Sequence, residues 1–192
     1  MAVQRLDEGD RNAVKEHFFA LPVRDQSLRF GIAMAPAVIA AYVDRIDLVR
    51  DAIFGIRDDR RVLVGVAHVA VEDQIAELGL SVLPEHRRRG FASALFRRAA
   101  AHARSRFAPK LLMHFLWTNV PILRIARRFG MNIVAQGGNA VADLKLNADR
   151  SDQPREAMAM PGFPTPIHTF DGRNTQETNP SFRRNPPAAF VR

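Results

Sequence analysis

Residues 75–106 constrain the fold of this 192-residue chain more tightly than any other stretch. From Ile75 to Leu83 the residues alternate, with Ala76, Leu78, Leu80 and Val82 on one side and Glu77, Gly79 and Ser81 on the other, the two-residue period of a strand. The chain then passes through Pro84-Glu85-His86-Arg87-Arg88-Arg89-Gly90 straight into an Ala-rich helix, Gly90 to Arg106. Such a connection presents the first turn of a helix at the end of a sheet. That turn carries N–H groups without intrahelical partners and the positive end of the helix dipole. Gly90 and Ala92 remove bulk, so a ligand can approach the backbone, and Arg87 to Arg89 add charge at the same mouth. Together these are the ingredients of a phosphate or pyrophosphate site. The dipole supplies only about 0.3–2 kcal/mol, so the N–H bonds and the arginines must supply the rest. Read in isolation, Arg-x-x-Gly-x-Ala is equally compatible with a solvated arginine-rich turn ahead of an ordinary helix.

The charge distribution points to the same place. The net charge is +8, yet residues 1–85 hold 10 basic and 14 acidic residues. Residues 86–142 hold 11 basic residues and no Asp or Glu. An anionic partner is implied, and its position along the chain is given by that segment.

The remaining pattern is mixed. Asp10–Leu21 places Val14, Phe18 and Leu21 at helical spacing, Asp25–Gly31 reads as a short second helix, and Pro36 opens a third with Val38, Ile39, Tyr42, Val43 and Ile46 as its stripe. Val49–Arg57 and Arg61–Glu72 read as strands about the turn Asp58-Asp59-Arg60. Leu111–Trp117 reads as a strand, and Val120–Phe129 as a helix closed by Gly130. Met131–Gln136 and Asn139–Leu146 form a hairpin about Gly137-Gly138. This order predicts an α+β fold: a mixed, mostly antiparallel sheet of about six to seven strands flanked by helices. Alternating βα units are too few for a doubly wound Rossmann domain. Residues 1–148 are expected to form the domain. Residues 149–192 hold seven of the twelve prolines without helical or strand periodicity, and read as a disordered or loosely draped tail. Phe163, Phe170, Phe182 and Phe190 in it are either docking anchors or scattered apolar residues.

Several classes drop out. With no Cys, disulfide scaffolds, thiolate metal sites and cysteine nucleophiles are excluded, and no metal site is expected. The longest uncharged hydrophobic stretch of the N-terminal half, Gly31–Val43, is 13 residues and contains a proline, against about 20 for a membrane helix. The polar opening MAVQRLDEGDRN shows no signal peptide, so a soluble cytoplasmic protein is expected.

The stretch V-L-P-E-H-R-R-R-G-F-A-S-A-L (residues 82–95) resembles the coenzyme A motif of the GNAT superfamily of N-acetyltransferases, V-x-P-x-x-[RQ]-x-x-G-x-[GA]-x-x-L. About 30 residues on, T-N-V-P-I-L-R-I-A-R-R-F-G-M is similar to the family's N-x-x-x-x-x-x-Y-x-x-x-G-F, with Asn119 and Gly130-Met131 aligned. The piece H-F-F-A-L-P-V-R-D-Q-S-L-R-F-G is similar to openings of bacterial members. The resemblance covers roughly residues 5–147. It implies acetyl-CoA as the acyl donor. Val82 and Leu83, next to Pro84, would offer backbone groups to the pantetheine arm. Arg87, Arg88, Arg89, Gly90, Phe91 and Ala92, with Ser93, would wrap the pyrophosphate, and Asn119 would bond the pantetheine region. The reaction implied is direct acetyl transfer to a primary amine, with the Val82 N–H as a candidate oxyanion donor.

Glu77 stands where many members place a carboxylate and is the candidate base; the alternative is a surface glutamate without a role. Ser81 shares its strand face and is the second catalytic candidate. His68 and His114 lie within strands and read as structural. Two departures stand out. Ala126 occupies the place where the family often has a Tyr serving as general acid, and the chain's single Tyr is Tyr42. Arg88 stands where Gly is common. Three functions follow: an acetyltransferase, a catalytically reduced CoA-binding regulatory module, and a nucleic-acid-binding protein. The last is disfavoured because the basic residues cluster about a motif that accounts for much of the charge, with a surplus on the two following helices left unassigned. The acceptor is unread, although an acidic N-terminal half favours a cationic amine such as a polyamine, aminoglycoside or protein lysine. Membrane partners are not expected, and a homodimer is left open.

Overall fold

The computed structural model describes residues 2–72 and 75–146. The expectations for residues 149–192, including its four phenylalanines, lie outside the described residues. In chain order the elements are β1 (Gln4–Leu6), α1 (Arg11–Phe19), α2 (Val23–Phe30), α3 (Pro36–Asp44), β2 (Ala52–Arg57), β3 (Leu63–Glu72) and β4 (Ile75–Val82). They continue with α4 (Phe91–Ser105), β5 (Lys110–Leu116), α5 (Val120–Arg128), β6 (Asn132–Gln136) and β7 (Asn139–Lys145). Short 3-10 turns occupy Glu8–Asp10 and Pro84–His86.

The seven strands form one sheet in the order β1-β2-β3-β4-β5-β7-β6. Every neighbouring pair is antiparallel except β4 and β5, which are parallel because α4 carries the chain back across the sheet. The α+β expectation therefore stands. The strand that periodicity could not show is β1, whose three residues are too few to reveal an alternation. Val49–Asp51, read as the start of a strand, instead precedes β2, and Val49 is exposed.

Helices cover both sheet faces. α4 packs Leu95, Phe96, Ala99 and Ala103 against one face, where Gly65 of β3 leaves room for the Leu95 side chain. α1 to α3 cover the other with Phe18, Phe30, Ile39 and Val43. This is why β2 and the first part of β3 are buried continuously, whereas β4 alternates as its sequence suggests. The hairpin of β6 and β7 turns on Gly137 and Gly138, both at positive φ.

Candidate functional site

β4 and β5 pair only at their starts. Ile75 faces Lys110, Ala76 faces Leu111, Glu77 faces Leu112, and the pairing ends there. β4 stays in register with β3 up to Val82, and β5 stays with β7 up to Leu116, so the two strands part and leave a gap. The Leu83 N–H donates to the Val64 carbonyl at 2.9 Å. That bond sets the ladder: Ser81 and Leu83 face β3, while the backbone groups of Leu80 and Val82 face the gap.

The gap widens into a cleft of about 580 Å³ between the end of β4, α2, the turn before α4 and α5. Arg29, Arg87, Arg88, Arg124 and Arg128 line it. The one carboxylate of its lining, Asp25, is ion-paired with Arg87 at 2.8 Å. α4 begins on this cleft. Its N-cap, Gly90, has φ 82°, and no side chain caps the helix. A Cβ at Gly90 would meet nothing within 4 Å, so backbone conformation rather than crowding calls for glycine. Uncapped N–H donors flanked by arginines fit a diphosphate group. Arg88 holds φ 61°, a left-handed conformation that costs an L-residue about 1–2 kcal/mol; the glycine common at this position of the resembling motif would adopt it freely.

Of the residues expected to hold coenzyme A, Val82, Pro84, Arg87, Arg88, Gly90, Phe91, Ala92, Ser93 and Asn119 line the cleft. Leu83 and Arg89 do not. Leu83 is buried with its N–H committed to Val64, and Arg89 lies over the Phe91 ring, 5.2 Å from its centroid, bonded to His86 Nδ1. Two lining residues also have structural work. Arg87 Nε donates to the Val82 carbonyl at 3.1 Å. Asn119 caps α5 by accepting from the Ile122 N–H, and its Nδ2 donates to the Leu28 carbonyl.

The catalytic candidates separate. Ser81 lines the cleft. Glu77 is not part of the lining; it sits at the last paired position of β4, half-exposed, with Oε1 3.5 Å from His114 Nδ1. Ser81 and Glu77 share a strand face four residues apart, about 13 Å along β4.

Residues that sequence reasoning did not assign surround Ser81 and Gly79. His17 Nδ1 donates to the Leu63 carbonyl at 2.9 Å, which leaves Nε2 to accept the Ser81 hydroxyl at 2.8 Å. Burial, opposed by the Leu63 bond and aided by the nearby Arg29 charge, pulls His17 down to about 4. The ring is therefore neutral near pH 7, and the Ser81 oxygen keeps its lone pairs for the cleft. Arg29 lies over Gly79 and belongs to a second chain of bonds. Its Nη2 donates to the Tyr42 hydroxyl at 3.3 Å, and Tyr42 meets His68 Nδ1 at 2.8 Å. His68 Nε2 reaches Asp51 Oδ2 at 3.3 Å. Burial raises the Tyr42 hydroxyl above its ordinary value, so it stays protonated. Burial pushes the Asp51 carboxyl upward as well, but the bond and charge of His68, with the Val71 N–H and Arg50, hold it below the ordinary range. Only one signal in the sequence could have found these groups: His17 and Arg29 each stand next to a core phenylalanine, where a stripe would be apolar.

Of the described acids in residues 1–85, Asp25 alone lines the cleft, in its pair with Arg87. Glu8 pairs with Arg11, Asp10 with Arg57, Asp44 with Lys15 and Asp51 with His68. Ala126, at the position of the common tyrosine, is fully buried.

The profile of the acetyltransferase (GNAT) family matches residues 23–131. The chain belongs to the GNAT acetyltransferase family. Among curated proteins no sequence matches significantly. Solved structures share its fold at low identity. The GNAT domain of PAT from S. lividans superposes with a TM-score of 0.65 at 16% identity, covering 75% of this chain and 89% of that one. The yncA protein of Salmonella typhimurium, solved with its cofactor acetyl-CoA, gives 0.64 at 17% over 78% and 96%. The ribosomal-protein-S18-alanine N-acetyltransferase of Escherichia coli gives 0.54 at 14% over 74% and 90%. This GNAT chain has no helix among its described residues long and apolar enough to cross a membrane.

Proposed function

We propose that this GNAT protein transfers an acetyl group from acetyl-CoA directly to a primary amine. The observation that carries the reading is the uncapped start of α4 on an arginine-lined cleft that runs into the gap between β4 and β5. In it, Arg87, Arg88 and residues 90–93 hold the pyrophosphate, with Arg124 and Arg128 adding charge from α5. The gap-facing backbone groups of Leu80 and the Val82 N–H receive the pantetheine arm and its thioester as an added strand, the Val82 carbonyl being taken by Arg87 Nε. The donor supplies an activated thioester. As the amine nitrogen bonds to the thioester carbon, the Val82 N–H stabilises the oxyanion and Glu77 takes the amine proton directly or through water; the oxyanion then collapses, the C–S bond breaks, and CoA leaves as its thiolate, which takes a proton from solvent. Ser81, fixed by His17, offers an acceptor to the incoming amine. The reading assigns this chemistry to residues 1–148 and none to 149–192.

The test is twofold. Acetyl-CoA at 100 times its Kd should stabilise the fold by about 2.7 kcal/mol and raise Tm by several degrees. An amine panel should release free thiol, and Glu77→Gln should lower kcat by about 10²-fold or more without removing the Tm shift. No Tm shift would refute coenzyme binding. A second reading, a CoA-binding module without turnover, is favoured by Ala126. A Tm shift with no thiol release from any amine would select it.

A further inference from the structure

Resting on the transfer reading above, we infer that the acceptor is an aminocarboxylate, an amine with a carboxylate close to it, and that Arg29 reads the carboxylate. The Arg29 guanidinium lines the cleft and lies directly over Gly79 of β4; a Cβ at Gly79 would collide with Nη1, Nη2 and Cζ. It is seated against two rings, 4.9 Å from the Phe30 centroid and 5.7 Å from that of Phe18. Nη2 is held by Tyr42, and the buried Nε has no hydrogen-bond partner. No carboxylate of the described residues forms an ion pair with it. The nearest acid in its bonded chain, Asp51, is reached only through Tyr42 and His68.

A half-buried cation without a counterion is an incomplete pair, and it pairs best with a planar carboxylate. Position excludes the donor's phosphates as that partner. Gly79 lies three residues, about 10 Å, before Val82, and the start of α4 has arginines of its own. Gly79 also lies midway between Glu77 and Ser81 on the same strand face, about 7 Å from each along β4. A carboxylate on Arg29 therefore leaves a neighbouring amine within reach of both groups assigned to handle its proton. The Tyr42–His68–Asp51 chain makes these three positioning residues, which fix the guanidinium without touching the acceptor.

The experiment compares the twenty L-amino acids with their primary amides as acceptors, by thiol release from acetyl-CoA. Wild type should favour the acids over the matched amides by about 10- to 100-fold in kcat/KM. Arg29→Met should erase that preference by raising KM for the acids, with kcat and the amides little changed. Gly79→Ala, which displaces the guanidinium but keeps its charge, should do the same. Circular dichroism and the acetyl-CoA Tm shift confirm that each variant folds and holds the donor. A binding arm needs no turnover: with CoA present, N-acetyl amino acids should raise the wild-type Tm and their amides should not. Equal use and equal binding of acids and amides overturns the inference while leaving the transfer reading intact. A fall in kcat for acids and amides alike in Arg29→Met also overturns it, since the guanidinium would then serve the oxyanion. Absence of thiol release with every amine overturns the transfer reading, and this inference with it.

Discussion

Acidification should weaken this fold through His17, and the size of the effect follows from its surroundings. The ring is 2% exposed, bonded at Nδ1 to the Leu63 carbonyl and at Nε2 to Ser81, and sits near the Arg29 charge. Its pKa falls to about 4 in the fold, against about 6.5 for an exposed histidine. At about 1.4 kcal/mol per pH unit, the gap corresponds to about 3 kcal/mol. The sign is set by which state binds the proton. Between those two values the unfolded chain is protonated and the folded one is not, so stability declines as pH falls from about 6.5 to about 4 and this residue contributes no further loss below. Asp51, whose carboxyl is held below its ordinary range, loses its contribution only below about pH 4. His102, lowered by burial and by the charges of Arg5, Arg106 and Arg98, weakens the fold in the same direction as pH falls below about 6.5 and needs its own control. Urea unfolding followed by circular dichroism at pH 7.5 to 4.5 should show the loss in wild type and in His102→Gln. In His17→Gln, less stable at every pH, the slope should be reduced by most of that amount. Parallel profiles for wild type and His17→Gln would refute the assignment.

Arg88→Gly should raise stability by about 1 kcal/mol, because it relieves the left-handed strain at φ 61°, while weakening acetyl-CoA binding severalfold by removing a cleft charge. Denaturant midpoints and calorimetric titration separate the two effects. Replacing both Arg124 and Arg128 with Gln should weaken acetyl-CoA binding by about 3- to 30-fold at low salt and flatten its salt dependence. Titration at two ionic strengths measures both changes.

The charge asymmetry shows how far sequence reasoning reached. The carboxylate-free segment pointed to an anion site, and the cleft receives Arg87, Arg88, Arg124 and Arg128 from it. The net charge of the acidic half, by itself, favours a cationic acceptor. Several of its carboxylates stand in ion pairs away from the cleft, Asp25 lines it paired with Arg87, and the same half supplies Arg29, which has no ion pair among the described residues. Net charge sums a segment, whereas a ligand meets only the groups that face it.

The sequence by itself determined the local elements and the arginine-flanked helix start that opens on the cleft. The strand, turn and helix of residues 75–106 are contiguous, so periodicity, the small residues Gly90 and Ala92 and the arginines before them are enough to define them. Tertiary structure alone decided which groups gather about Ser81 and Gly79. Ser81 meets His17 across 64 positions, and Arg29 reaches Tyr42, His68 and Asp51 from four separate elements or loops. No local pattern encodes such contacts, because they depend on helices α1 to α3 docking on the sheet face opposite α4. That docking desolvates polar groups in pairs and leaves one guanidinium facing the gap.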